Sequence, residues 1–298
     1  MTSAGLLTVR ALFSEGVLKN IAVDLQRPPV TRLFFGQIPD AVVKTVPYLY
    51  TLCAHAQRAV AQAAVAAAEG EARRPVDDAE LWTEMLHENF WRLLLDWPTA
   101  LGLPTAQDAF VTWRAARHGP NRVLETQKLL ETVHRLGRQC LEKLNDGSPP
   151  ESSVPQRLAP EPWLAYWQGT LDHPPAMHLP TSVAAAYRSR LAEADRAAAA
   201  LAGGAPYPIS AAGADGWGVG QTLTARGVLT HAVHVVDGHI LNYRITAPTD
   251  DFFANPAALA ALLAGQHFAS PEEARLALER AILTLDPCLP HLVELNHA

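Results

Sequence analysis

The chain has 298 residues, 49% of them hydrophobic, which is enough apolar material to bury a sizeable core and excludes a disordered chain as the default. A formal net charge of −6, from 30 acidic and 24 basic residues without a long basic run, removes the electrostatic case for nucleic acid or an anionic membrane surface as partner. The start, MTSAGLLTVRALFSEG, lacks a basic stretch followed by a long apolar core, and no run approaches the ~18 uninterrupted apolar residues of a spanning helix, so a cytoplasmic location is expected.

In chain order, residues 7 to 25, LTVRALFSEGVLKNIAVDL, alternate apolar and polar on each side of Ser14-Glu15-Gly16, which predicts a β-hairpin. From Pro47 to about Glu69 the sequence is continuous, alanine-rich helix-forming material with Cys53 near its start and Gln57 and Val60 following at helical spacing. Asp77 and Asp78 precede a helical stripe of Leu81, Met85, Phe90, Leu93 and Leu94 that Pro98 is expected to stop. Two further helices are read over roughly 105 to 117 and 121 to 145. Eight prolines between Gly147 and Pro180 predict an irregular connection there, a linker or binding loop.

A helix from about Thr181 to Leu201 leads into GGAPYPISAAGADGWGVG, too poor in lysine for a phosphate-cradling loop and read as irregular backbone. Between Leu223 and Ala247, VLTHAVHVV and HILNYRIT flank Asp237-Gly238, a dipeptide suited to a tight turn, and form a second hairpin. Short helices near Pro256 and Pro271 precede the closing LDPCLPHLVELNHA.

Three cysteines, Cys53, Cys140 and Cys288, are too few for a disulfide framework and suit a reducing compartment. Cys140 lies at helical spacing from Leu136 and Leu144 and reads as core. Cys288 and His291 form a C-x-x-H pair whose thiolate and imidazole could bind a soft or borderline metal; alone the motif is weak and reads first as a buried cysteine near a surface histidine. The twelve histidines make no H-x-x-x-H or H-E-x-x-H pair and no G-x-S-x-G occurs, which leaves hydrolytic metal and serine chemistry without support. His231 and His234 point to opposite faces of a regular strand and read as structural, and His87-Glu88 reads as a polar helix face.

Three segments, in the right order, resemble the pieces that build the active site of nickel-iron hydrogenase large subunits. The family's strand pair and C-x-x-C pair opening an alanine-rich helix is similar to VRALFSEGVLKNIAVDL and PYLYTLCAHAQRAVAQAA, with Cys53 at the second cysteine, Tyr50 at the first, and Gln57 where a histidine is usual. The central arginine-glycine motif with its following histidine and hairpin is similar to Arg226-Gly227 through His231 and VVDGHILNYRITAPT. The terminal D-P-C-x-x-C-x-x-H resembles Asp286-Pro287-Cys288-Leu289-Pro290-His291-Leu292-Val293-Glu294, in which Cys288 survives, its partner has become His291, and Glu294 replaces the final histidine, so no removable tail is expected.

In that family the first cysteine of each pair binds nickel alone and the second bridges nickel and iron, so the resemblance implies that the nickel site is dismantled and that one iron could be held by Cys53 with Cys288 or His291. It further implies Arg226 as hydrogen-bond donor to an iron-bound cyanide, with Gly227, Gln57 and His231 around the bound group. The shorter middle, the missing cysteines and EMLHENFWRLLLDWP resemble the HupK/HoxV-type hydrogenase expression/formation proteins. The implied fold is α+β and mainly helical, one large-subunit-like domain over residues 1–298, in which the two hairpins could share a mixed sheet. The implied role is an accessory scaffold, not an enzyme, that carries or helps assemble iron bearing two cyanides and one carbon monoxide. Its implied partners are the hydrogenase large-subunit precursor and small maturation chaperones. Two alternatives stay open at this point: a non-metal decoy of the large subunit that binds maturation factors, and a redox enzyme with a degenerate site.

Overall fold

The computed structural model describes residues 5–144, 157–176 and 179–297. Alternation at the start of the chain becomes β1 (Leu6–Ser14) and β2 (Val17–Gln26), joined through Glu15 and Gly16 at φ 56° and 78°, the left-handed pair that a two-residue hairpin requires. Leu7, Val9 and Ala11 face inward from β1. The free edge of β1 is taken by β7 (His291–His297), which runs parallel to it from Leu7↔His291 to Phe13↔His297 and gives the order β2-β1-β7. Local pattern holds no sign of this strand, because its partner lies at the far end of the sequence.

The second sheet is separate and entirely antiparallel: β3 (Ile209–Ala214), β4 (Trp217–Thr224), β5 (Gly227–Val236) and β6 (His239–Thr246), in that order. The two expected hairpins therefore do not share a sheet; each finds its own neighbours. The glycine-rich passage expected to be irregular is the β3–β4 hairpin. Its glycines serve packing: a Cβ built on Gly213, Gly218 or Gly220 would lie 2.0, 2.0 or 2.5 Å from the carbonyl oxygens of Ala67, Ala64 and Val60. Helix α2 (Ala54–Glu69) lies against that bare strand surface with Ala61, Ala63 and Ala64 buried, so alanine on the helix and glycine on the sheet together permit backbone-to-backbone approach.

The run expected as one helix from Pro47 is two. Helix α1 (Pro39–Leu49) ends at Tyr50, and a single 3-10 turn, Thr51–Cys53, precedes α2. Pro98 does not stop the next helix. Helix α3 (Asp78–Trp91) widens into a π turn at Arg92–Asp96 and continues as α4 (Trp97–Ala100), with Pro98 in the first turn of the new segment. A proline lacks an N–H and crowds the carbonyl four residues back, and the wider turn absorbs that conflict.

Helices α5 (Gln107–Ala116), α6 (Arg122–Lys143) and α8 (Val183–Gly203) follow the expected pattern, and Cys140 is fully buried on α6. Within the proline-rich stretch α7 (Pro160–Trp167) forms, with Pro160 and Pro162 in its first turn where no N–H is required; residues 147–156 and 177–178 of that stretch lie outside the described residues. Helices α9 (Pro248–Phe252), α10 (Ala257–Leu263) and α11 (Pro271–Leu285) complete the chain before β7.

Two main apolar cores result. Leu86, Phe90, Leu94, Trp97, Trp113 and Tyr187 anchor the helical one. Leu7, Val9, Leu259, Leu278 and Ile282 anchor the other, beneath the β1–β7 pair. At roughly 1.5–3 kcal/mol for each fully buried large aliphatic or aromatic side chain, these clusters fix the relation of the elements far more firmly than the surface ion pairs do. Cys53 packs against the first core and Cys288 against the second.

Candidate metal centre

Cys53 occupies the N-cap position of α2, with φ −134° and ψ 50°. Its own side chain does not cap the helix. The cap comes from α3, where the Glu84 carboxylate accepts from His55 N at 2.8 Å and Ala56 N at 2.9 Å and satisfies two of the N–H groups that a helix start leaves open. A distant carboxylate thus fixes the turn that carries Cys53 and accounts for the helix break at Tyr50. Burial pushes Glu84 up to about 7 despite these two bonds, and burial with the charge of Glu84 pushes the Cys53 thiol up to about 12, against the pull of Arg226 and the Gln57 amide.

Gln57 and His231 are both buried and form one hydrogen-bonded rod. Gln57 Nε2 donates to Cys53 Sγ at 3.6 Å, and Gln57 Oε1 accepts from His231 Nε2 at 2.9 Å. That fixes the proton on Nε2, so His231 Nδ1 accepts from the Tyr243 hydroxyl at 2.8 Å. Burial lowers His231 from 6.5 to about 3, keeping it neutral as the rod requires. His234 faces the other side of the strand and stacks on Trp217, with ring centroids 4.5 Å apart.

Arg226 stands in the β4–β5 turn, where Thr224 Oγ1 accepts from its N–H at 3.2 Å and donates to Gly227 O at 3.0 Å. Gly227 has φ 133°, a backbone region that L side chains rarely adopt, which explains glycine after the arginine. The Arg226 side chain is buried. Its Nη2 donates to Glu88 Oε2 at 2.7 Å, its Nε lies 3.4 Å from Asp286 Oδ1, and its Nη1 is buried with no hydrogen-bond partner.

Asp286, 1% exposed, also receives Arg92 at 2.7 Å and Arg190 at 2.9 Å. Burial opposes its charge, yet Arg226, Arg190 and Arg92 hold the carboxyl well below the usual range. Glu88 is therefore not part of a solvated helix face, as its sequence context suggests. It is the inward-facing partner of Arg226.

Cys288 follows Asp286 and is held by α9. Its backbone N–H donates to Thr249 Oγ1 at 3.1 Å, and the Thr249 hydroxyl donates in turn to Cys288 Sγ at 3.3 Å. From the loop after β2, Arg27 Nη2 donates to the same sulfur at 3.2 Å, while Arg27 Nε pairs with Asp250 Oδ1 at 2.6 Å. Tyr50 lies within electrostatic reach of Arg27, Asp250 and Cys288; burial pushes its hydroxyl up to about 12, so it offers a neutral phenol and no anionic ligand. Cys288 also acts electrostatically on Cys53.

The expected residues thus divide. Gln57 bonds both Cys53 and His231, Arg226 and Cys288 act electrostatically on Cys53, and Gly227 follows Arg226 in its turn, whereas His291 opens β7 and turns its Nε2 to Glu279 Oε2 on α11 at 2.9 Å, both side chains more than a third exposed. Once a strand begins at residue 291, three residues of separation no longer bring that imidazole beside the Cys288 sulfur. Among the described residues no group of three or more His, Cys, Asp and Glu is arranged to hold a metal ion. Arg27 and Asp250 stand outside the motifs read from the sequence, and Glu84, Glu88 and Thr249 lie inside segments that resemble the family but owe their roles to long-range contacts.

No protein-family model matches the chain. Across 99% of this chain and 100% of the relative, it is 28% identical to the hydrogenase expression/formation protein HupV of Azotobacter chroococcum mcd 1, and with the same identity and coverage to HupK of Azotobacter vinelandii. Among solved structures, the as-isolated oxidized Ni-Fe-Se hydrogenase of D. vulgaris Hildenborough superposes with a TM-score of 0.60 at 13% identity, over 92% of this chain and 94% of that one. An NAD+-reducing nickel-iron hydrogenase gives 0.54 at 13%, over 93% and 94%. At that identity the likeness establishes the fold, which is that of nickel-iron hydrogenase large subunits.

Proposed function

We propose that this chain, which resembles the HupK/HoxV-type hydrogenase expression/formation proteins along almost its whole length and has the large-subunit fold, is an accessory scaffold of hydrogenase maturation. Its cargo is an iron unit carrying two cyanides and one carbon monoxide. Cys53 and Cys288 grip the iron, and the unit passes to the large-subunit precursor with the help of small maturation chaperones.

The observation that carries this reading is the buried, unpartnered Nη1 of Arg226, in a guanidinium that acts electrostatically on Cys53. A buried donor without an acceptor is costly, and the nitrogen of an iron-bound cyanide would satisfy it. The sparse donor set supports the same cargo. A bare ion asks for three or four protein ligands, whereas iron that arrives with three diatomic ligands needs few more. Fewer thiolates than in a complete site also mean weaker holding, which transfer requires.

One observation favours the second reading, a decoy that binds maturation factors and no metal: the Cys288 sulfur already accepts from Arg27 and Thr249. An infrared spectrum of the protein purified anaerobically from hydrogenase-producing cells separates the two. The scaffold reading expects metal-bound cyanide and carbonyl bands that vanish in Cys53→Ala. A spectrum without bands, together with normal hydrogenase activity in cells carrying Cys53→Ala and Cys288→Ser, establishes the decoy.

A further inference from the structure

We infer that Arg27 sets the metal capacity of the site, its guanidinium standing beside Cys288 as a fixed cation that keeps a second metal ion away. The inference rests on the scaffold reading only for the identity of the one metal that is held. Three contacts carry it. Arg27 Nη2 donates to Cys288 Sγ at 3.2 Å, Arg27 Nε pairs with Asp250 Oδ1 at 2.6 Å, and Asp250 Oδ2 accepts from Ala247 N at 3.0 Å. The guanidinium is therefore tethered at both ends, by the sulfur and by a carboxylate that is itself bonded to the start of α9.

A guanidinium keeps its charge under all ordinary conditions, and a divalent ion approaching the same sulfur would meet that charge at close range in a partly desolvated place. The Thr249 hydroxyl occupies another approach to the sulfur. Tyr50, within electrostatic reach of Arg27 and Asp250, supplies no thiolate to compensate. An iron whose charge is already offset by anionic cyanides is repelled less, and its cyanides can accept from the unpartnered Nη1 of Arg226. A bare divalent ion has no such compensation. Arg27 is thus a specificity-determining residue.

The test is a titration of the full-length, metal-free protein with aqueous nickel(II), following the thiolate-to-nickel absorption anaerobically. Arg27→Gln is expected to bind nickel at least about tenfold more tightly than the wild-type protein, Arg27→Lys to stay near the wild-type value, and Cys288→Ser in the Arg27→Gln background to cancel the gain. Should Arg27→Gln fail to fold, Arg27→Met, of similar length and without charge, is read in the same way. An Arg27→Gln or Arg27→Met protein with native circular dichroism and nickel affinity within about twofold of wild type overturns the inference. Because no iron cargo enters this titration, missing cyanide bands would sink the scaffold reading and leave a nickel gain standing, and the reverse result would sink only the role of Arg27.

Discussion

Gln57 lies one turn of α2 beyond Cys53 and directs its amide nitrogen back to that sulfur at 3.6 Å. The same amide closes the rod that runs through His231 to Tyr243. Gln57→Leu leaves the buried His231 Nε2–H without an acceptor and is expected to lower stability by ~1–3 kcal/mol in urea denaturation. Because both residues belong to one network, Gln57→Leu with His231→Phe should cost less than the sum of the single changes. Additive costs would show that the rod contributes nothing as a unit.

The pH dependence of stability follows from the same histidine. Its folded-state value is lowered from 6.5 to about 3, so its favourable contribution is complete above 6.5 and is lost as pH falls towards 3, where the unfolded chain takes up the proton first. Glu84 and Asp251, both raised to about 7, act with the opposite sign over part of that range, so the informative quantity is a difference between variants. The stability advantage of the wild-type protein over His231→Phe should shrink steadily from pH 6.5 downward, by up to about tenfold in the unfolding constant per pH unit. A constant difference across that window would mean that His231 is not held neutral.

Gly218 tests the seat of the cysteine helix. A Cβ there would meet Ala64 O at 2.0 Å, so Gly218→Ala must push α2 off the sheet and should cost ~1–3 kcal/mol or more in thermal denaturation. Gly203→Ala, with open space around its Cβ, is the control and should stay within about 0.5 kcal/mol. Equal effects at the two positions would refute the close helix–sheet contact.

His291 and Cys288 separate by their partners. His291→Ala removes only the exposed pair with Glu279, worth ~0–1 kcal/mol, and is expected to leave the cyanide and carbonyl bands in place, whereas Cys288→Ser should weaken or abolish them. Arg226→Lys, which lacks the planar fork, should retain bands at shifted cyanide frequencies. Loss of the bands in His291→Ala alone would make the imidazole the iron ligand.

Much of this arrangement was readable from residue order. Alternation of apolar and polar residues marked β1 and β2, and Asp237-Gly238 between two strand-like runs marked β5 and β6, its turn legible because both residues adopt positive φ. The β3–β4 hairpin was missed because its strands use glycine to admit α2, which removes the alternating side chains on which strand recognition depends. The π turn before Pro98 was missed because proline usually ends a helix, and here the backbone widened instead. Resemblance marked Cys53, Cys288 and Arg226, but their partners Glu84, Glu88, Arg27 and Thr249 come from remote segments whose local sequence carries no sign of the contact. His291 was grouped with Cys288 by spacing, and the parallel pairing of β7 turns it towards α11 instead.

That parallel pairing also sets an order of events. Arg10 and Glu294 join across it over 284 positions of sequence, so the sheet can close only once residues 291–297 have left the ribosome, and such distant closure is slow compared with helix formation. The thiol at 288, three residues before the closing strand, takes its place with it. A chain lacking residues 291–297 would therefore leave that edge of β1 unpaired and the Cys288 segment without its anchor on the sheet.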